Sequence, residues 1–516
     1  MSACRLAGGK ATRGANRICG TWATALLALP FLLAESAAAL DGGTLRLNTF
    51  NGWKAFEVIS QGEDPAGDGF SYSMLAVFDG AGAWLVDPAT LRVQLNHETF
   101  DAAVSEVNID LANLRTAIQN VIDTGTTGGV SFVLLARQAY DRWSPDAGLS
   151  WFATSDTSTT VFVRFCSSQS YAPHTFGVDR GFVDEIYVAG EEFGLDRLFA
   201  LDSVGRDFYL LSGVVGSAPG GTGGMPFDSW ENAALLDTGE TDHVALLLSP
   251  DGGSQRMQLY IGEKGKDTDG SASNGFLARN GLAWGSWYYL NATYPALGSS
   301  NGGTIDTTAA GALSSDKLED VDTSPSDPNR AVLADQTSGV FTLDFDLVFG
   351  PGFDAAASSF TITTISNTSG GLGSVDAPDN IEWSDATTLA GTSHPGGLIF
   401  VNEDNSSGEI WEMQPDGTRR VLIARTTLNA ESTGIFDISH LVGYVPGSIL
   451  ITNSQGTPAS LSVLINPDAA EAAPPPPVPN LHWMGLALLG SLLAATGCLA
   501  VAANHMPRAA GLEPPR

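Results

Sequence analysis

Short apolar or alternating runs, repeatedly cut by Gly, Asp, Asn and Pro, set the rhythm of this chain. They include FSYSMLAVF (70–78), TTVFVRF (159–165), DEIYVAG (184–190), HVALLLS (243–249), MQLYIGE (257–263) and GVFTLDFDLVF (339–349). GGLIFVNED (396–404), GEIWEMQPDG (408–417), RRVLIART (419–426) and GSILITNS (447–454) continue the series. Such runs predict strands joined by tight turns. One stretch departs from that rhythm. Between Val104 and Val121, the residues Ile109, Leu114, Ile118 and Val121 share a face, which predicts a helix ending before GTTGG (125–129).

Many short strands in a long chain point to an all-β sandwich or propeller. The unit GLIFVNEDNSSGEIWEMQPDG favours a propeller. It has two apolar strands about a polar turn, then a turn carrying Asp416-Gly417 and a further strand. DHVALLLSPDGGSQRMQLYIGEKG has the same cadence, although the repeats are too irregular to count blades. Residues 265–316, rich in Gly, Ser, Thr and Asn, predict long surface excursions, and 354–372 is a weaker case.

The ends carry processing signals. Arg5, Lys10, Arg13 and Arg17 precede an apolar run, Thr21 to Leu33, and then AESAAALDGG, so 1–39 predicts a secretory signal peptide engaged by export machinery. The expected organisation is a propeller over 40–470, a Pro-rich linker over 471–480 and a membrane helix or sorting tail over 481–516. That tail is long enough to span a bilayer. It resembles Gram-negative sorting signals recognised by a C-terminal protease, and a plain membrane anchor is the other reading. Either places the protein outside a bacterial cytoplasm, in the periplasm or at the cell surface.

These boundaries change the meaning of the cysteines. Cys4, Cys19 and Cys498 fall in the end segments, so the mature chain keeps Cys166 alone and forms no internal disulfide. Cys166 is then a buried small hydrophobe or a ligand. Charge narrows the partners. With 25 basic and 57 acidic residues, a net −32, the chain repels nucleic acid. A subset of its carboxylates can hold Ca2+.

Those carboxylates recur at strand ends. Glu98 follows Asn96-His97, and Glu191-Glu192 follows IYVAG. Glu231-Asn232 opens a strand and Glu263 closes one. Glu319-Asp320, Asp379-Asn380, Glu403-Asp404 and Glu431 complete the set. In a propeller, such residues converge at one mouth of the central channel and suit a hard cation. Other chemistries lack their motifs. The five central histidines form no H-E-x-x-H pair, and no G-x-S-x-G elbow or phosphate loop is present. GTTGG and GTGG (221–224) read as turns.

On these segments the chain resembles the PhoX-type alkaline phosphatases. The likeness runs through LVDPATLRVQLNHE (85–98), VFVRFCSS (161–168), VDEIYVAGEE (183–192), SWENAAL (229–235) and LLLSPDGGSQRMQLYIGEKG (246–265). It continues through KLEDVDTSPSDPNRAVLA (317–334), APDNIEWSD (377–385), GLIFVNEDNSSGEIWEMQ (397–414) and ESTGIFD (431–437). The resemblance implies a decorated six-bladed β-propeller with minor helical insertions. It also implies hydrolysis of phosphate monoesters at alkaline pH at a centre of Fe3+ and Ca2+. By the same resemblance Cys166 is an iron ligand. Glu98, Glu191, Glu231, Glu263, Glu319, Asp379, Glu403 and Glu431 are metal-site residues. For a basic group on substrate, Lys264 and Arg164 are the candidates, with Lys317 and Arg279 nearby in sequence.

Two other functions fit the same composition. A lactonase-like calcium hydrolase would use the Glu, Asn and Asp residues and need no cysteine. A non-catalytic surface propeller would use calcium only as a brace.

Overall fold

The computed structural model describes residues 45–473 apart from 66–73, 154–161, 193, 369–373 and 428. The expected signal peptide, the tail and the proline run lie outside the described residues. No described helix is long and apolar enough to cross a membrane.

The chain is all-β. Six strands run side by side as a closed ring around the centre: Phe78–Asp87, Phe165–Tyr171, Trp230–Leu236, Ser314–Thr323, Pro378–Ser384 and Ser432–Asp437. Each leads outward into antiparallel strands. Sequence-distant segments complete two sheets. Lys54–Ser60 pairs with Ser460–Ile465, and Leu47–Thr49 pairs with Arg420–Thr426. Apolar side chains pack between neighbouring sheets, leaving the centre polar. Phe165, for example, meets Phe199 edge-on at 5.7 Å, and Phe199 stacks on Phe208 at 4.7 Å. Fully burying a side chain such as Phe165 contributes about 1.5–3 kcal/mol, and this one holds the strand that carries Cys166.

The sheets are not six separate blades. His243–Arg256 pairs with Gln258–Glu263 on one side and with Ser314–Thr323 on the other. Ser300–Asp306 bridges Trp284–Asn291 to Ser359–Asn367. Together with Arg330–Asp335 and Gly339–Asp346, these strands close an eight-stranded barrel. The polar segment 265–316 therefore contributes two strands and the short helix Phe276–Arg279 where surface excursions are expected. Ser300–Asp306 buries little of itself, so its composition reads as loop although its backbone is paired. Ser359–Asn367 likewise occupies much of 354–372.

Other expectations shift in register. Val104–Asp110 is a strand paired on both edges, and the helix is Leu111–Thr124. Asp110 caps that helix by accepting a hydrogen bond from the Asn113 amide at 2.8 Å. Gly125, at φ +80°, ends it with its amide on the Val121 carbonyl. The described part of 159–165 only reaches its strand at Phe165, and that strand contains Cys166. Likewise, the described part of 70–78 only reaches a strand at Phe78.

Candidate metal centre

One local device is repeated where each of the six inner strands enters the ring, which for Ser314–Thr323 is at Lys317. The residue at position 77, 164, 229, 317, 377 or 431 accepts, through its carbonyl, the amide of a residue at the end of the adjacent strand. The pairs are Val77 with Glu98, Arg164 with Glu192, Ser229 with Asp251, Lys317 with Gln336, Ala377 with Asp404 and Glu431 with Gln455, at 2.7–3.2 Å. Val77, Arg164 and Ala377 adopt φ of +52 to +54° to make this turn. Non-glycine residues occupy that conformation at a cost, and it concentrates at functional sites.

Two residues further on, each inner strand slips register against its neighbour. The slips lie between Phe78 and Ala81, between Phe165 and Ser168, between Trp230 and Asn232, between Leu318 and Val321, between Pro378 and Ile381, and between Thr433 and Phe436. A bulge re-aims side chains that strict alternation would send to opposite faces. The first residue of each doublet then joins the mouth of the ring, as with Glu231, Glu319 and Asp379. The second turns into the channel and ties adjacent strands together. Asn232 donates to Asp320, Asp320 accepts the Ile381 amide at 3.0 Å, and Asn380 donates to Ser167.

The result is a cavity of about 230 Å³ lined by Asp79, Glu98, Glu192, Glu231, Glu319, Asp379, Asp404 and Glu431, with the Cys166 thiol and Gln455. Among the described residues, only Arg164 and Lys317 bring positive charge to it. Three sets of ligand atoms lie within 4.8 Å of one another: Glu98, Cys166 and Glu192; Asp79, Glu98 and Glu431; Glu231, Asp251 and Glu319. The thiol donates to Glu192 Oε2 at 3.1 Å. Asn96 donates to the Cys166 and Ser167 carbonyls at 2.7 and 3.1 Å and so fixes the bulged backbone beneath the sulfur.

The electrostatics follow from burial and crowding. Burial, then the neighbouring Glu231, Glu192, Glu98 and Asp79, push the Cys166 thiol well above its ordinary range. Asp79, Glu231, Glu319, Asp379 and Glu431 are all raised, by burial first and other carboxylates next. Glu192 is pushed up to about 7 by burial and by its contact with Asp251. Lys317 Nζ lies 2.6 Å from Asp251 and 3.2 Å from Glu319. Arg164 pairs with Glu98 and lies 3.5 Å from Glu192. Burial alone would lower both basic groups, but these acids raise them.

The mouth thus brings together Cys166, Glu98, Glu231, Glu319, Asp379, Glu431 and Arg164. Four sequence candidates lie elsewhere. Glu191 points away from the cavity, forms a fork with Arg197 at 2.5 and 2.6 Å and accepts the Val163 amide. Its neighbour Glu192 occupies the cavity instead. Glu403 accepts from the Asp376 amide, the Trp411 indole and Asn405, while Asp404 lines the cavity. Glu263 pairs in register with His243, at the opposite end of that strand from Asp251. Lys264 donates to the Asp179 carbonyl at 2.9 Å, and Arg279 pairs with Asp184. Asp79, Asp251 and Gln455 escaped sequence reasoning altogether. The usable signal was positional: on the outer strands the residue just beyond the last paired position, Glu98, Glu192, Asp404 or Gln455, enters the cavity, and on the bulged inner strands the first member of the doublet does.

The donor set fits hard cations with one soft site. Asp251 Oδ1 is buried with no hydrogen-bond partner. Glu192 meets Asp251, and Glu431 meets Asp404, as carboxylate–carboxylate pairs that require a shared proton or a cation. Carboxylates suit calcium and ferric iron, and a thiolate suits iron. A cation there would reverse the pressure on Cys166 and hold it as thiolate.

No family model and no curated protein matches this sequence. The fold is similar to that of a solved structure described as Pseudomonas fluorescens PhoX in complex with vanadate, a transition state analogue. The two superpose with a TM-score of 0.53 over 84% of this chain and 98% of that chain, at 11% identity. That likeness establishes kinship of fold, not of chemistry. A structure of the Dos1 propeller aligns with a TM-score of 0.31 at 8% identity over 80% of this chain and 73% of that chain, too low to define a shared fold.

Proposed function

We propose that this chain is an exported, metal-dependent phosphomonoesterase built on a six-bladed propeller in which two blades fuse as a barrel. The supporting observation is the ring mouth, where eight carboxylates and one thiol face two basic side chains. In this reading Cys166, with Glu98 and Glu192, holds Fe3+. The sets around Asp79–Glu431 and Glu231–Asp251–Glu319 hold Ca2+ or a second iron. Bound there, the ions supply the positive charge that a phosphate dianion and its transition state require.

The protein's own groups then have separable roles. The carboxylates and the thiol would hold the ions, and the bulged strands keep those side chains from relaxing apart. Arg164 and Lys317, with side chains about a third exposed, pair with acids that would hold the ions, and would be freed from them in the metal-bound protein. Both can then orient a phosphoryl oxygen by donated hydrogen bonds. Asn96 and Gln455 hold the first-contact groups in place, Gln455 by donating to Asp79 and Glu98 at 2.9 and 2.8 Å.

The test is hydrolysis of p-nitrophenyl phosphate at alkaline pH, before and after chelation and again after calcium is restored. Chelation should abolish turnover and calcium should restore part of it. Cys166→Ser should lose iron and activity together. Metal-independent hydrolysis, or full activity in Cys166→Ser, refutes the proposal. Retained hydrolysis without the sulfur would point to a calcium hydrolase, and bound metal with no phosphoester turnover to a structural role.

A further inference from the structure

The inner strands all begin at the metal mouth, so their far ends define a second opening. Residues there line a separate cavity of about 680 Å³. From Asp379 to Ser384 is roughly 15 Å of extended strand, which separates the two cavities along the channel. The far cavity is acidic: Glu185, Asp322, Glu382, Asp385 and Asp437 line it, with no Lys or Arg among the described residues.

Most of this acidity is already satisfied. Asp437 accepts from the Ser384 hydroxyl at 2.5 Å, from the Ser439 and Gly447 amides at 2.8 Å, and from the Ser439 hydroxyl. Asp322 accepts from Gln169 and from the Thr323 and Trp383 amides at 2.6–2.7 Å. Asp385 accepts from Ser326 and the Ala386 amide. Glu382 differs. It is 6% exposed, and one oxygen accepts the Asp437 amide at 3.0 Å. The other, Oε2, is buried with no hydrogen-bond partner. A buried acceptor without a donor is costly and calls for an occupant. Ser170 Oγ, in the same wall, is also unpartnered. Trp84, Phe176, Phe436 and Leu441 make the rest of the walls largely apolar and aromatic, with His440, Thr175 and Ser324 also lining it.

We infer that this far mouth binds a small organic cation, an ammonium group that donates to Glu382 Oε2 and carries an apolar body packed on the aromatic walls. Glu185 at 8% exposure adds a second carboxyl group to the same cavity, raised to about 8 by burial and drawn toward its ionised form by a bound cation. A metal ion fits less well. Calcium takes six to eight oxygens, whereas the other carboxylates here are engaged by amide and hydroxyl donors. An alkyl- or arylammonium ion needs one strong acceptor, a low-polarity wall and aromatic faces for cation–π contact. None of these features depends on the metal mouth.

The test uses the full chain at pH 8.5, above the folded value of Glu185 and with the amine still protonated, with 2-phenylethylammonium as the probe and 2-phenylethanol as its neutral counterpart, followed by calorimetry. Saturable one-to-one binding of the amine is expected, with at least tenfold weaker binding of the alcohol. Glu382→Gln should weaken the amine at least tenfold while its amide oxygen still accepts the Asp437 amide. Glu185→Gln, on a side chain with no structural hydrogen bond to lose, provides an independent variant and should weaken it severalfold. Cys166→Ser, at the other mouth, should leave binding unchanged. Absence of saturable binding, equal affinity for the alcohol, or affinity unaffected by both acidic variants overturns the inference.

Discussion

The adjacent glutamates 191 and 192 provide a sharp test, because the structure gives them opposite tasks. Glu191 is fully buried and forks onto Arg197, so Glu191→Gln leaves a nearly buried guanidinium without its counter-charge. Breaking such a pair typically costs about 3–5 kcal/mol. Glu192 behaves in the reverse sense. Its carboxyl is raised from 4.5 to about 7, by burial first and Asp251 next. A raised acid contributes stability that is complete below its unfolded value and is lost as pH rises through the folded one. In the metal-free protein at pH 8, ionised Glu192 therefore opposes folding by about 3 kcal/mol, at 1.36 kcal/mol per unit.

Glu192→Gln should accordingly stabilise the chelated protein at pH 8 by up to that amount. It should also reduce bound iron and the stabilisation that metal confers. Glu191→Gln should destabilise the protein with or without chelator and leave metal content unchanged. Urea denaturation at pH 8, with and without chelator, paired with elemental analysis of each variant, measures both effects. If Glu191→Gln loses iron while Glu192→Gln keeps it, or if chelated Glu192→Gln is less stable than the parent, the assignment of the cavity-facing glutamate is wrong.

Other outcomes follow from single features. Glu185 is raised from 4.5 to about 8 by burial, so Glu185→Gln should flatten the loss of stability between pH 5 and pH 9. The gain at pH 9 should reach up to about 5 kcal/mol by denaturant titration. Phe199→Ala removes a ring packed on Phe162, Phe165 and Phe208 and should cost about 3–5 kcal/mol, with metal content falling only as the fold is lost. Val77→Gly relieves a β-branched residue at φ +52° and should raise thermal stability by about 1 kcal/mol while leaving metal binding intact.

How much was legible in advance depends on the range of the interaction. The hairpins around Leu398–Glu403, Glu409–Met413 and Arg420–Thr426 were readable because each strand and its turn are local in sequence. Their pairing depends on neighbours only a few residues away. The stretch from Val104 to Val121 misled because apolar spacing in a strand followed directly by a helix can mimic one longer helix. The carboxylate doublets were visible, but which member faces the cavity was not. A period of two predicts one residue per face, whereas a bulge inserts an extra residue and reverses the facing beyond it. The bulges lie on the inner strands, where the first member of each doublet faces the cavity. On the outer strands Glu191 and Glu403 are the last paired residues and are locked into local hydrogen bonds, and Glu192 and Asp404, one position beyond, occupy the cavity.

By itself the sequence determined an all-β chain and the chemistry available to it: one central thiol and an excess of carboxylates at strand ends. These are properties of local patterning and composition, which act over a few residues. Tertiary structure alone decided that Asp79 meets Glu431, that Asp251 meets Glu319, and that Ser300–Asp306 closes a barrel. Those contacts join positions far apart in the chain, and their geometry depends on ring closure and on one-residue register slips that leave no mark in hydropathy.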